Sequence, residues 1–205
     1  MTRRSAALIT ATLLTASLAA CGGDQEQVSS SSSTSPAAPS SAASASAEPA
    51  PSIEASSAPF AGDLEPDVEE PIGGPLSVTS VRVASQDGFD RVVFELDGNE
   101  AGEPGWRVEY TDAPSSQGSG DSVDVTGGAT LALLITGVGY PFDTGVDEVS
   151  GDPTLPAGLG VVEDVVLGAV FEGQYEAFIG VSTERPFTVT RLADPARVVV
   201  DIAHN

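Results

Sequence analysis

The sequence predicts an all-β protein whose folded part is an antiparallel β-sandwich. Beyond residue 75, short runs rich in Val, Leu, Ile, Phe and Tyr alternate with clusters of Gly, Pro, Asp and Ser, which is the pattern of strands joined by turns. The same region contains no convincing amphipathic helix. Strands are predicted at residues 76–84, 90–97, 106–111, 123–126, 130–138, 161–171, 175–182, 187–192 and 197–203.

Residues 1–20 have the composition of an export signal. Arg3 and Arg4 precede an apolar run from Ala6 to Leu18, which is about as long as the core of a secretory signal and short for a membrane-spanning helix. The following residues, Leu18-Ala19-Ala20-Cys21, resemble the lipobox of bacterial lipoproteins. That resemblance implies cleavage before Cys21 and attachment of lipid (palmitate) to its thiol; an ordinary signal with an incidental cysteine is the alternative.

Residues 21–75 are predicted to be a disordered linker that starts at the lipidated cysteine. Residues 29–35 are nearly all Ser, Ser, Ala and Pro continue to about Pro59, and acidic residues dominate from Asp63 to Glu70. Such a segment buries too little apolar surface to offset the entropy lost on ordering. We expect it to act as a tether that extends the domain from the outer face of the cell membrane into the cell wall. Glycosylation of the tract, or a binding role for it, is the alternative.

One strand pattern occurs twice in residues 76–205. Residues 91–96 and 197–202 both read as Arg, branched or aromatic apolar residues, an acid and a final apolar residue. Alternation places Val92, Phe94 and Leu96 on one face of the first strand. A turn precedes each copy, so two related hairpins are predicted, with chance similarity of short apolar strands as the alternative. The residues predicted to face the core in the second copy are Val198, Val200 and Ile202.

Two further features concern loops. Residues 171–175 join two alternating runs through Glu172-Gly173, which predicts a hairpin. Residues 140–160 are the least regular part of the domain, with several Pro and Gly. Long irregular loops are often functional, so residues 140–160 are a candidate binding rim.

Five motifs follow one another along the folded region, at residues 88–94, 104–110, 171–173, 185–187 and 195–201. In this order they resemble the AMIN-like domain of actinobacterial lipoproteins, over about residues 76–205. The resemblance implies a β-sandwich. The related AMIN domain of periplasmic amidases and secretin subunits is a non-catalytic localisation module associated with peptidoglycan, so cell-envelope binding is implied here, without catalytic residues. Because no zinc-amidase domain follows in this sequence, any localised cargo is expected to be a partner.

The composition excludes several classes of function. The formal net charge is −22 and the sequence contains no Lys, so nucleic acids and anionic lipid head groups are poor partners. Cys21 is the only cysteine, and His204, the only histidine, lies beside the C-terminus. We expect His204 to fray, which makes it a poor catalytic residue. No metal site, cofactor or enzymatic activity is predicted, and we expect a monomer.

Six residues are candidate contacts for a wall ligand. Trp106 and Tyr110 share one face of their strand and Arg107 lies on the other. If the two aromatic residues are core, Arg107 faces outward and is able to bind a carboxylate of a stem peptide bidentately. For the remaining three candidates, the alternative to a ligand contact is that each forms a salt bridge on its strand. These are Arg82, Arg91 and Arg197, which are predicted on the outer faces of the two hairpins. The alternative function is a protein-interaction adaptor that uses a sheet edge or the loop rim.

Overall fold

The structure is a computed structural model, and it describes residues 60–205. The predicted signal peptide, Cys21 and the first part of the predicted linker lie outside the described residues. In chain order, the elements are β1 (Asp67–Glu69), β2 (Ile72–Gly73), β3 (Ser77–Ser85), β4 (Phe89–Asp97), β5 (Gly102–Glu103), β6 (Gly105–Thr111), β7 (Ala129–Thr136), α1 (Pro141–Thr144), β8 (Val162–Phe171), β9 (Gln174–Val181), β10 (Phe187–Leu192) and β11 (Ala196–Ala203).

The strands form two antiparallel sheets that share one core, so the predicted β-sandwich is confirmed. The larger sheet has the order β1-β6-β7-β9-β8 and the smaller has the order β10-β11-β4-β3. β2 and β5 make a short separate ribbon. Both sheets contribute to a single cluster of buried side chains, as expected when the inner faces of two sheets interdigitate.

Strand alternation predicted the core correctly. In β4, Val92, Phe94 and Leu96 are buried, while Arg91 and Val93 are only partly covered. Val198, Val200 and Ile202 of β11 are also fully buried. Full burial of a large aliphatic or aromatic side chain contributes roughly 1.5–3 kcal/mol, so these two strands are a major source of stability.

The two predicted hairpins, β3–β4 and β10–β11, both form, and their second strands are neighbours in the smaller sheet. β4 and β11 pair antiparallel, with Arg91 opposite Asp201 and Arg197 opposite Glu95. In each copy of the strand pattern, the arginine therefore lies opposite the acidic residue of the other copy.

The structure corrects two details of the strand prediction. Residues 123–126 form no strand, because the amide of Thr126 donates to a carboxylate oxygen of Asp164 and not to a neighbouring strand. The predicted helix-free domain contains one helix, α1, which has four residues and begins at Pro141. The predicted 171–175 hairpin is confirmed, with positive φ angles at Glu172 (49°) and Gly173 (81°).

The last part of the predicted linker is ordered, which is a larger correction. Residues 60–73, here called the N-terminal strap, bond to both sheets. β1 pairs with β6, and Asp63 exchanges two backbone hydrogen bonds with Phe187 of β10. Strand pairing satisfies backbone groups whatever the side chains are, so an acidic composition did not prevent order.

Residues 145–161, here called the loop strap, close the opposite side of the sandwich. The amide of Val149 donates to the carbonyl of Val78 on β3, and the amide of Leu167 on β8 donates to a carboxylate oxygen of Asp152. Leu155 and Leu159 pack against the core. Most of the predicted binding rim is therefore also a structural cover.

Candidate functional site

A groove of about 550 Å³ lies beside the edge strand of the smaller sheet. Residues 81–84 of β3 form one wall, together with Arg91 and Val93 of β4. Pro153, Thr154 and Pro156 of the loop strap form the other wall. We call this the arginine groove. It brings together two features that the sequence predicted separately, the hairpin arginines and the 140–160 rim.

The groove forms because the loop strap diverges from β3 after one backbone contact with it. The loop strap bonds to the β3 backbone at Val78, and within residues 60–205 no other backbone hydrogen bond joins it to this strand. Residues 81–84 consequently keep an open strand edge that faces the two prolines. An open edge offers backbone donors and acceptors to a bound peptide.

Arg82 is the charged side chain of the groove that is most available to a ligand. Its side chain is 60% exposed, and its Nη2 donates one hydrogen bond of 3.2 Å to Glu95. Exposed pairs of this kind contribute only about 0–1 kcal/mol. A guanidinium has five N–H donors, so Arg82 can donate to a ligand carboxylate in addition to Glu95 or in place of it.

Arg91 is held more firmly. Its Nε and Nη2 donate to the two carboxylate oxygens of Asp201 at 2.7 and 2.8 Å, and its guanidinium lies 5.2 Å from the ring centre of Phe89. The hydrogen bonds to Asp201 raise the pKa of Arg91. This bidentate pair fixes the floor of the groove and leaves Arg91 less free than Arg82.

The charge of the arginine groove differs from that of neighbouring concave surfaces. None of its lining residues is acidic. A groove of about 440 Å³ at one end of the sandwich is lined by acids that include Glu100, Glu103 and Asp194. Another beside the N-terminal strap contains Asp63 and Asp67. In a strongly acidic chain, the arginine groove is therefore a place where an anionic group can approach.

The other predicted arginines lie outside the groove. Arg197 donates to the carbonyls of Ala193 and Pro195. Arg107 lies on the outer face of the larger sheet and donates from Nε and Nη2 to both carboxylate oxygens of Glu109, at 2.8 and 2.7 Å. These bonds raise the pKa of Arg107 and lower that of Glu109.

The two aromatic candidates point into the sandwich. Trp106 is 5% exposed, and its Nε1 donates to a carboxylate oxygen of Asp67 at 2.9 Å. Tyr110 is partly buried, and its hydroxyl donates to the carbonyl of Arg185 and accepts from the amide of the same residue. The alternative in which both aromatics belong to the core is the one the structure adopts, and Arg107 does face outward.

A different pair of aromatics is exposed on the predicted rim. Tyr140 and Phe142 stack with ring centres 5.3 Å apart, and Phe142 is 82% exposed. Thr144 anchors this short helix, because its hydroxyl is buried against the hydroxyl of Ser77. The exposed aromatic pair of the rim thus lies at the start of the loop, before the loop strap begins.

Sequence reasoning missed a buried charge at Asp90. Its side chain is fully buried and accepts hydrogen bonds from the amides of Gly160, Val161 and Val162 and from Nε2 of His204. Burial alone would raise the pKa of Asp90, but the hydrogen bonds outweigh it and lower the pKa to about 2. Asp90 therefore fastens the end of the loop strap to β4.

The expectation that His204 frays is wrong. Its ring bonds to Asp90 at 2.9 Å and its amide donates to the carbonyl of Gly88. The sequence did contain a signal for this pair: Asp90 has the same strand parity as Val92 and Phe94, and an acid in phase with core residues needs a buried partner.

Between residues 60 and 205, no helix has the length and apolar character needed to cross a bilayer. In the same part of the chain, no three His, Cys, Asp or Glu side chains come together in a way that would suit a metal ion.

Comparison with known families agrees with this architecture. The chain has a two-sheet β-sandwich fold, and the AMIN-like domain family matches residues 76–204. The match covers more than half of the chain, so this protein belongs to the AMIN-like domain family. AMIN-like domains are non-catalytic binding modules of cell-envelope proteins. Searches among curated proteins and among solved structures found no match.

Proposed function

We propose that this protein is a membrane-anchored, non-catalytic module that holds to the cell wall, with peptidoglycan as its ligand. Family membership supports an envelope-binding role. The arginine groove is the observation that supports peptidoglycan as the ligand, because its concave, mainly aliphatic lining includes two arginines and no acidic residue in a chain whose net charge is −22. Concave, mostly apolar surfaces with a few convergent polar groups are the usual form of a binding site.

The charge distribution fits a wall ligand. Stem peptides of peptidoglycan carry carboxylates, which most of this acidic surface would repel. Arg82 offers donors that a carboxylate can bind. The ligand is therefore expected to contact the domain at this groove and to be held away from the acidic surfaces elsewhere.

The proposed anchor is a lipid group on Cys21. Acyl chains bind membranes with roughly 0.8 kcal/mol per buried CH₂, and two chains anchor stably. Because the N-terminal strap begins at Phe60, the tether proposed here runs from residue 22 to residue 59. A flexible chain of that length spans about 35 Å, which would hold the domain within reach of the wall.

A second candidate function is a protein-interaction adaptor. The open edge of β3 at residues 81–84 favours it, because a strand of a partner protein could pair there. Two other edge strands are each contacted by a strap: Phe187 of β10 pairs with Asp63, and the amide of Leu167 on β8 donates to Asp152. An adaptor would thus compete with a wall peptide for the same groove.

Co-sedimentation tests both functions. The chain from residue 22 onward, without its lipid, would be mixed with intact peptidoglycan stripped of protein and, separately, with unstripped wall. The wall-binding proposal predicts that both preparations pellet the chain, and that salt weakens retention by screening the charges. Retention by unstripped wall alone would favour the adaptor. No retention by either preparation at any salt concentration would contradict both.

A further inference from the structure

We infer that the arginine groove binds the carboxyl end of a wall stem peptide, with Arg82 contacting the terminal carboxylate and the aliphatic walls contacting alanine methyl groups. This inference rests on the proposed function and names the part of peptidoglycan that is recognised. It distinguishes the peptide from the glycan strand, which the wall also offers.

The lining of the groove suits a peptide of small residues. Val81, Val83, Pro153 and Pro156 present short aliphatic surfaces, and no aromatic side chain lines the groove. Sugar rings are commonly held against aromatic faces, and the two aromatic candidates of the larger sheet, Trp106 and Tyr110, are buried or partly buried. Methyl groups of alanine fit aliphatic walls without such a platform.

The open strand edge determines how many residues of a peptide can pair with it and offers backbone groups to which they can bond. Residues 81–84 extend over about 10 Å, which matches roughly three extended residues. Their unpaired backbone groups can bond to peptide amides. The amides of a wall glycan are side groups on its sugar rings, so they cannot pair in register with a strand edge as a peptide backbone does.

Arg82 can bind a carboxylate without rearrangement of the fold. Glu95 already shows where one carboxylate sits against its guanidinium. Because Glu95 is a weak, exposed competitor, a ligand carboxylate can join it or replace it. Arg91, bound bidentately to Asp201, positions the groove floor and is not the primary contact.

The first test uses soluble peptides with the chain from residue 22 onward. A stem-type pentapeptide ending in D-alanyl-D-alanine would be titrated and followed by amide NMR shifts, beside the same peptide with a C-terminal amide. The free acid is expected to shift residues 81–84 and to bind at least about tenfold more tightly than the amide, as loss of a charge-assisted hydrogen bond predicts. Equal affinity for acid and amide would overturn the inference.

A pair of glutamate variants supplies a gain-of-binding test that misfolding cannot mimic. Glu95→Gln removes the competitor of Arg82 and is expected to tighten binding of the acid peptide by about threefold or more. Glu109→Gln removes the equivalent partner of Arg107 on the other sheet and is expected to leave binding unchanged. Tightening in both variants, or in Glu109→Gln alone, would contradict the assignment to the arginine groove.

The outcomes separate this inference from the proposed function. Peptidoglycan whose stem peptides have been removed by an amidase is expected not to retain the protein in the pellet, whereas intact peptidoglycan retains it. If stripped glycan retains the chain as well as intact wall does, wall binding stands and the peptide inference fails. If intact wall does not retain the chain at all, the proposed function itself fails.

Discussion

The two straps close opposite sides of the same sandwich by different means. The N-terminal strap uses strand pairing along β6 and a backbone bridge to β10. The loop strap instead uses side-chain carboxylates at its anchors: Asp152 accepts from β8, and Asp90 of β4 accepts the amides at the strap's end. Continuous backbone pairing keeps the first strap against the sheet, whereas anchoring at separate points lets the second stand away from β3.

This difference explains where a binding groove can exist. Beside β6 the strand edge is filled by β1, so β6 itself offers no free edge to a ligand over those residues. Beside β3 the loop strap leaves residues 81–84 open and supplies two prolines as an opposing wall. A loop that covers the core and still leaves an edge open provides both stability and a surface for recognition.

Removal of the N-terminal strap is expected to have the largest effect. A chain starting at residue 76, where the family match begins, would lose β1 and leave Nε1 of Trp106 without Asp67. We expect its free energy of unfolding to fall by about 3 kcal/mol or more relative to a chain starting at residue 60. Urea unfolding of both chains measures this, and equal midpoints would mean that the strap is only an accessory.

Asp90→Asn tests the anchor of the loop strap. The Asp90 pKa of about 2, lowered from 3.8, corresponds to about 2–3 kcal/mol of stability at neutral pH. Because the folded state has the lower pKa, this contribution is present above pH 4 and is lost as the pH falls from about 4 to 2. We expect the variant to be destabilised by about that amount at pH 7 and to lack this part of the acid dependence.

Unfolding measurements at pH 7, 4 and 2.5 would check the Asp90 prediction. Asp87→Asn is the matched control, because Asp87 is an exposed acid in the preceding turn. If the wild type and Asp90→Asn lose stability in parallel between pH 4 and 2, another carboxylate holds the strap.

Asp67→Ala is expected to have an intermediate effect. It removes the acceptor for Nε1 of Trp106 and for the amide of Val189, at a cost of about 1–2 kcal/mol. Glu65→Ala, in the same strap but exposed, should be nearly neutral. A thermal unfolding comparison measures both, and equal losses would argue that the strap is held by backbone pairing alone.

Asp152→Ala is expected to have the smallest effect, below about 1 kcal/mol, because its bond to the amide of Leu167 is exposed. The same thermal comparison applies. A loss as large as that of Asp67→Ala would show that the loop strap is fastened along its length, and the contrast between the two straps would disappear.

Hydrophobic alternation was sufficient to predict most of the fold. The inward faces of β4 and β11 follow directly from residue parity, and the turn at Gly173 follows from its sequence. Composition failed where order depends on contacts with distant residues. The acidic composition of residues 60–73 predicts a linker, yet these residues bond to strands whose position in space a local pattern does not reveal.

The candidate site was predictable only in part. Alternation placed Arg82 and Arg91 on outer faces, and the irregular 140–160 segment was recognised as a candidate rim. Their meeting depends on the anchors at Val78 and Asp90, which join residues far apart in the chain. Arg107, which the sequence predicts as a contact for a stem-peptide carboxylate, lies on the outer face of the other sheet, and the arginine variants below distinguish it from Arg82.

Wall retention of two arginine variants tests the central claim most directly. Arg82→Gln and Arg107→Gln each remove one exposed strand arginine, one inside the arginine groove and one on the opposite sheet. With the chain from residue 22 onward and intact, protein-free peptidoglycan, Arg82→Gln is predicted to reduce retention by about tenfold and Arg107→Gln to leave it unchanged. Loss of retention in Arg107→Gln with full retention in Arg82→Gln would contradict the assignment of the ligand site to the arginine groove.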